Sequence, residues 1–451
     1  MPRSTDIRIQ RVDHRAQRIA YRTPIKFGGR VVTDALIWDV EVEVETVDGR
    51  RGLGRGSMPL GNVWAWPSAV MSPETTLAAI QRLAELTVED ARKCDAAAHP
   101  LDLTTMLAER HAELAAQVGA EMQLADPIPK LACLLAASPT EAAIHDAQGI
   151  ALGTNSYNLL GPDYVSRDLA AYLGPEFRGE YLDTYTSREP KPTMPLYHLV
   201  GALDPLTSAD VGQAVGDGLP ETLDEWITAD GLTHLKVKLA GDDLRWDTER
   251  VAAVERVASA AQARRGCTHW NYSVDFNEKC ASVEYVLDFL GKVQELAPLA
   301  FDRIQYIEQP THRDLRANPE NRMHRAAAIK PVVIDESLVD FDSLLAAREL
   351  GYSGVALKAC KGHTEALLMG AAAQKYGMFL CVQDLTCPGA SFLHSASLAA
   401  RLPTIAAIEG NARQYCPAGN LGWSERYPGM FGITDGTVGT AALTRPGLGF
   451  N

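Results

Sequence analysis

The sequence predicts an α/β protein: a (β/α)8-type barrel preceded by an α+β segment. Three observations carry this. Eight short β-branched runs recur after residue 190 with helical stretches between them, the alternation that builds a parallel sheet from βαβ units. Eight is the number that closes such a sheet into a barrel. Before residue 190 the order differs, with strands first and helices afterwards.

The opening segment, RIQRVDHRAQRIAY, PIKFGG and ALIWDVEVEVETVDGRRGLGRG, reads as an antiparallel sheet. Ile37 to Val44 alternates apolar and polar residues, the period of a half-buried strand, and Asp48-Gly49 signals a hairpin turn. Residues 72 to 160 read as helices. Ser72-Pro73-Glu74 supplies a cap residue followed by proline at the first helical position. The stretch 161–194, with its prolines, glycines and charges, predicts a domain boundary. The eight runs are PLYHLVG, HLKVKL, YSVDFN, IQYIEQ, PVVIDE, GVALKA, MFLCVQ and TIAAIEG, with helices such as 247–263 and 364–376 between them. No G-x-G-x-x-G follows the first of these, which disfavours an open doubly wound sheet. The expected division is 1–190 for the first domain, 191–420 for the barrel, and 421–451 for a tail that packs back on the first domain.

The chain has 451 residues and a net charge of −14 from 57 acidic and 43 basic side chains. With no basic run, this argues against nucleic acid and anionic membranes as partners. No stretch reaches the ~18 apolar residues of a membrane span. The charged start lacks an apolar signal core, so a cytoplasmic protein is expected. The eight cysteines are scattered without a C-x-x-C pair and read as small buried hydrophobes.

The chemistry lies at the run ends. The second ends Lys236-Val237-Lys238, the third Asp275-Phe276-Asn277, the fourth Glu308-Gln309-Pro310, the fifth Asp335-Glu336-Ser337 and the sixth with Lys358. In a barrel these C-terminal ends face the active site. Asp275, Glu308 and Asp335 end three adjacent strands and could converge. Three hard oxygen donors without His or Cys suit Mg2+. The alternative is a set of carboxylates that merely pair with Lys or Arg. Lys236 and Lys238 point to one face of their strand. Mutual repulsion and burial are expected to lower their pKa toward that of a general base. Lys358 stands roughly across the barrel.

The order K-x-K, D-x-N, E-Q-P, D-E-S and a sixth-strand lysine resembles the enolase superfamily, most closely its muconate lactonizing enzyme subgroup within the mandelate racemase/muconate lactonizing enzyme family. PIKFGG with the following strand and V-D-G-R-R-G, ALGTNSYNLLG, and the terminal D-G-T … P-G-L-G-F are similar to that family's capping-domain and closing segments. The resemblance covers nearly the whole chain. It implies a modified TIM barrel with an α+β capping domain built from the N-terminal segment and the tail. It implies one Mg2+ per subunit, with Mn2+ as a possible substitute, on Asp275, Glu308 and Asp335, supported by Asn277 and Glu336. Lys238, tuned by Lys236, and Lys358 become acid/base groups on opposite faces of a small-molecule carboxylate, and a homo-oligomer is implied. The reaction implied is abstraction of the proton α to the carboxylate, used for racemisation, epimerisation or cycloisomerisation.

Some positions depart from the pattern. Lys361-Gly362-His363 replaces a glycine pair, and His363 reads as a loop or supporting residue rather than a catalyst. The helical part of the first domain is longer than usual. The seventh run ends Gln383-Asp384, and the eighth Glu409-Gly410-Asn411, a partial match to the Asp-x-Asp that binds the substrate ammonium in dipeptide epimerases. Asp384, Glu409 and Asn411 are therefore candidate substrate contacts. So are the loops holding Phe27 and Trp64 with Trp66, unless these serve only interdomain packing. Other readings are a syn-elimination such as acid-sugar dehydration, a Schiff-base aldolase using Lys358 or Lys238, and a non-catalytic barrel. Dehydratases of the superfamily typically carry Asp on strand six and His on strand seven, and neither is present. An aldolase leaves the three carboxylates unexplained.

Overall fold

The structure is a computed structural model that describes residues 2–27 and 30–451. Phe27 ends a strand in the backbone, but its side chain lies outside the described residues.

The first domain opens with three antiparallel strands, β1 (Ile7–Phe27), β2 (Arg30–Thr46) and β3 (Arg51–Pro59), in that order across the sheet. Gly49, at φ 91°, supplies the left-handed residue that the tight turn between β2 and β3 requires. Glycines alternate along β3. A Cβ at Gly52, Gly54 or Gly56 would fall within 2.2 Å of the carbonyl oxygens of Ala147, Ala143 and Pro139 respectively. These carbonyls repeat every four residues along the helix Lys130–Leu152, so the period of two in the strand meshes with one face of the helix. That helix is buried along nearly its whole length. The helix Pro73–Lys93 begins as its sequence predicts, with the Ser72 side chain accepting the Thr75 N–H at 3.2 Å.

The eight predicted runs form β4 (Met194–Val200), β5 (His234–Lys238), β6 (Asn271–Asp275), β7 (Ile304–Glu308), β8 (Val332–Ile334), β9 (Gly354–Leu357), β10 (Phe379–Val382) and β11 (Ile408–Glu409). They pair in parallel in chain order, and β11 pairs with β4 to close the barrel. Tyr197, Tyr306, Val333, Ala356, Cys381 and Ala407 pack together as one buried interior cluster. Because side chains alternate along a strand, the residues two positions further on point to the same interior. Those residues include Glu308, Asp335, Lys358, Gln383 and Glu409. An apolar floor therefore carries a polar layer directly above it, at the C-terminal ends of the strands.

The tail touches both domains. Its short strand β12 (Thr437–Val438) pairs antiparallel with β4. Further on, Asp146 of the first domain accepts the Leu448 N–H at 2.7 Å, and the Gly447 carbonyl accepts the Ser156 N–H at 2.7 Å. Among the described residues no helix is long and apolar enough to cross a membrane. All eight cysteines are free thiols; Cys94 and Cys267 are half-buried and the others buried.

Candidate active site

The polar layer is a closed network of buried charges. Lys236 is fully enclosed, its Nζ lying 2.8 Å from Glu308 Oε1, 2.9 Å from Glu409 Oε2 and 3.2 Å from Asp275 Oδ2. Lys238 is paired with Asp275 and donates to Asn277 Oδ1 at 3.2 Å. On the other wall, Asp335 pairs with Lys358 at 2.8 Å and with Lys361 at 3.1 Å. Lys361 also donates to the Asp335 backbone carbonyl. Gln383 donates to Glu308, and the Asn411 amide donates to Glu409 at 3.1 Å. Asp384 accepts backbone N–H groups from Cys387 and Asn411 at 3.2 and 3.3 Å.

Local backbone turns make this convergence possible. Asn277 and Gln309 take left-handed φ values of 46° and 29° immediately after β6 and β7. Such conformations are uncommon for non-glycine residues and concentrate at functional sites. The Gln309 side chain accepts the Asp335 and Ser337 N–H groups at 2.9 and 3.2 Å, tying the end of β7 to the end of β8.

The capping domain closes the layer from above. In the short helix Asn62–Ala65, the Trp64 ring lies 4.7 Å from Lys358 Nζ and 5.7 Å from Lys361 Nζ, a cation–π arrangement. Trp64 Nε1 donates to Glu336 at 3.0 Å, and Arg313, paired with Glu278, donates to the Trp64 carbonyl at 3.0 Å. Trp64 also lines a cavity of about 300 Å³ with Arg18, Tyr21, Arg30 and Leu385. Trp66 is buried next to it.

The electrostatics follow from burial without solvent. Burial alone would raise the Asp275 pKa, but Lys238 and Lys236 outweigh it and hold the carboxyl below its ordinary value. Asp335 is likewise held at about 2, because Lys358 and Lys361 outweigh its burial. Glu308 is pushed well above the ordinary range by burial and by the nearby Asp275. Burial and Asp335 raise Glu336 to about 8, and burial and Glu409 raise Asp384 to about 7. The lysines reverse the expectation from sequence. Burial disfavours the charge on Lys236 and Lys358, yet both are held above the ordinary lysine value, Lys236 mainly by Glu308 and Lys358 mainly by Asp335. Opposite charges at contact distance outweigh both burial and lysine–lysine repulsion.

A sequence model of the enolase C-terminal domain-like family matches residues 218–451, more than half of the chain. The chain belongs to the enolase superfamily. Its structural neighbours are members of the mandelate racemase/muconate lactonizing enzyme family. It is similar to the L-Ala-D/L-Glu epimerase from Bacillus subtilis, with a TM-score of 0.64 and 16% identity over 98% of each chain. It is similar to muconate lactonizing enzyme from Pseudomonas fluorescens, with a TM-score of 0.62 and 19% identity over 98% of this chain and 96% of that one. A racemase from Streptomyces coelicolor with bound magnesium gives 0.56 and 19% over 98% and 97%. No curated protein matches by sequence.

In this enolase-superfamily chain, every candidate described by its side chain lies in the network or against it. Asp275 and Glu308 meet at Lys236, whereas Asp335, on the strand next to that of Glu308, meets Lys358 and Lys361. Among the described residues no three carboxylate, histidine or cysteine side chains are gathered as a metal-ion site, because the Lys236 ammonium occupies the point where Asp275, Glu308 and Glu409 converge. His363 does not sit in a loop: it begins the helix His363–Lys375 and bonds His394 at 2.9 Å. Lys361 and Gln383 were not predicted as site residues. The 3-10 turn Ala359–Lys361 sets Lys361 one tight turn after Lys358, a spacing visible in the sequence. Gln383 could have been found from its place two residues beyond Cys381. Arg313 has no such signal.

Proposed function

We propose that the protein is a Mg2+-dependent isomerase that abstracts the proton α to the carboxylate of a small substrate and returns it by racemisation, epimerisation or cycloisomerisation. One observation carries the reading. Lys238 ends β5 and Lys358 follows β9, and these strands stand four places apart in either direction around the closed eight-stranded barrel. Two ammonium groups therefore stand on opposite sides of one buried polar layer, the arrangement that proton transfer on both faces of a planar intermediate requires.

The donor set suits a divalent cation. Six buried carboxylates, Asp275, Glu308, Asp335, Glu336, Asp384 and Glu409, face four buried ammonium groups, Lys236, Lys238, Lys358 and Lys361. With all six ionised, the excess of two negative charges is what one divalent cation would neutralise. Among the described residues, Glu336 Oε2, Gln383 Oε1 and Asn411 Oδ1 are buried acceptors without a hydrogen-bond partner. Asp275, Glu308 and Asp335 would hold the ion, each by hard oxygens. Bound there, Mg2+ would supply electrostatic stabilisation of the charge that develops on the substrate carboxylate.

The chain's own groups do the rest. Lys238 takes or delivers the α-proton on one face, and Lys358 does so on the other. Lys236, enclosed by three carboxylates, holds them in place and keeps its proton. Trp64 keeps water from the Lys358 face. Asp384, Glu409 and Asn411 form a wall rich in acceptors, which favours substrates bearing an ammonium or amide donor.

Deuterium wash-in from D2O tests the reading, with Mg2+ and a library of amino acids, dipeptides, hydroxy acids and sugar acids. Wild-type exchange that disappears with EDTA, and that is lost on one face in Lys238→Ala and on the other in Lys358→Ala, is expected. Exchange that survives EDTA sinks the metal-assisted mechanism, and loss of water from a sugar acid assigns the protein to the lyases.

A further inference from the structure

A second buried polar cluster lies outside the polar layer, where the capping domain meets the barrel. One face of the helix Lys130–Leu152 packs on β3, and the helix also packs along the 3-10 turn Ala359–Lys361. From the helix, Glu141 reaches the start of the helix His363–Lys375, where Oε2 accepts the Thr364 N–H at 3.2 Å. His145, one helical turn further on, lies 2.8 Å from Thr364 Oγ1 through Nε2. Thr104, also from the capping domain, meets the same hydroxyl at 2.6 Å. Glu141 leaves no room beside the turn, since a Cβ on Gly362 would lie 2.8 Å from Oε2, and Gly362 itself has a φ of 101°. All these side chains are buried.

The turn they grip is the one that carries Lys358 and Lys361. The Lys358 backbone carbonyl accepts the Lys361 N–H at 3.0 Å, and the Ala359 carbonyl accepts the Gly362 N–H at 3.1 Å, so these bonds tie the strand end to the start of the helix His363–Lys375. Lys238 pairs with Asp275 and Asn277, both from the end of the neighbouring barrel strand.

We propose that Glu141 is a positioning residue of the active site: from the capping domain it fixes the turn that places Lys358 and Lys361 against Asp335. The proposal rests on the acid/base role given to Lys358 above, and its mechanism is geometric. The carboxyl oxygen holds the N-terminal N–H of the following helix, Thr364 binds the same domain through its hydroxyl, and the lysine is carried on the segment between strand and anchor.

The test uses the full chain with Mg2+ and does not depend on a substrate. Trace reductive methylation with formaldehyde and cyanoborohydride, read by peptide mass spectrometry, compares Lys358 and Lys361 with Lys238 as internal reference. Glu141→Leu, which keeps the bulk and removes the acceptor, is expected to raise labelling at Lys358 and Lys361 about fivefold over Lys238, as loosened support does. Glu141→Gln, which restores an acceptor oxygen, is expected to stay within about twofold of wild type. Thr364→Val removes only the hydroxyl contacts and is expected to move the ratio in the same direction, so it decides the matter should Glu141→Leu fail to fold. An unchanged ratio in the folded variants, or an equal rise at all three lysines, overturns the proposal.

With a substrate from the wash-in screen, Glu141→Leu is expected to slow exchange on the Lys358 face about tenfold and to spare the Lys238 face, since misplaced catalytic groups lose rate steeply. Equal slowing of both faces counts against it. A wild type that exchanges nothing defeats the isomerase reading, while the labelling ratio still decides the role of Glu141.

Discussion

Lys238 and Lys358 stand on opposite walls of one barrel and are held in different ways. Lys238 is placed by its neighbours in the sheet: β5 and β6 pair with Lys238 opposite Asp275, and the next turn brings Asn277. Lys358 pairs with Asp335 within the barrel, but Trp64 covers it and its turn is bound by Glu141 and Thr104, all from the capping domain. Strand register sets the Lys238–Asp275 pair. The Lys358 wall is assembled from two parts of the chain more than 200 residues apart. The capping domain therefore helps to build the site as well as to cover it.

The largest effect that bears on this comparison is the loss of either lysine. Lys238→Ala and Lys358→Ala are each expected to lower isomerisation about 10³-fold, the scale of a lost general acid–base group. Each variant should keep α-proton exchange on the face served by the remaining lysine. Loss of exchange on both faces from a single substitution would show that the two walls do not act separately.

Next is the shared carboxylate set. Mg2+ is expected to raise the thermal midpoint of the wild type, and Glu308→Gln to abolish that rise. Saturation at a hundredfold over Kd corresponds to about 2.7 kcal/mol. A Glu308→Gln protein that Mg2+ still stabilises fully would remove Glu308 from the ligand set.

Trp64→Ala gives a smaller change. Removing a buried cation–π contact of about 1 kcal/mol should slow the Lys358 face about fivefold, and the Lys238 face should hold within twofold. Comparison of exchange from the two enantiomers of one substrate reads this directly.

The pH dependence of stability probes the boundary between domains. Burial holds His99 and His394 near pKa 4, against about 6.5 unfolded. Above pH 6.5 they are neutral in both states and contribute nothing to stability. As pH falls from 6.5 to 4 the unfolded chain binds more protons, and stability is lost at up to about 1.4 kcal/mol per pH unit for each group. Glu141 acts in the opposite sense. Burial pushes its pKa to about 8, so it favours the folded state at low pH, and that contribution is lost as pH rises from its unfolded value through 8. Thermal midpoints measured from pH 5 to 9 should peak near pH 6.5. His394→Gln should flatten the acid limb by about one proton's slope and leave the alkaline limb as it is. An unchanged acid limb would place the proton uptake elsewhere.

Much of this was legible in the sequence. The eight runs became the eight barrel strands because hydrophobic patterning and βαβ order are local properties. The charges ending those runs fell in one layer because alternation along a strand sends Glu308, Asp335 and Lys358 to the same side as Tyr306, Val333 and Ala356. The Lys236 pKa direction was misread because its repulsion with Lys238 is visible in the spacing K-x-K, whereas its carboxylate partners come from other strands. Glu141 lay in an alanine-rich helical stretch and carried no motif at all.

The sequence by itself determined the elements, their order and which face of each strand is charged, since these depend on residues two to four apart. Only the tertiary structure decided which charge meets which, that Trp64 covers Lys358, and that a capping-domain carboxyl anchors the turn of a barrel lysine. Those contacts join residues separated by tens to hundreds of positions, and their strength depends on burial, which exists only once the chain has closed on itself.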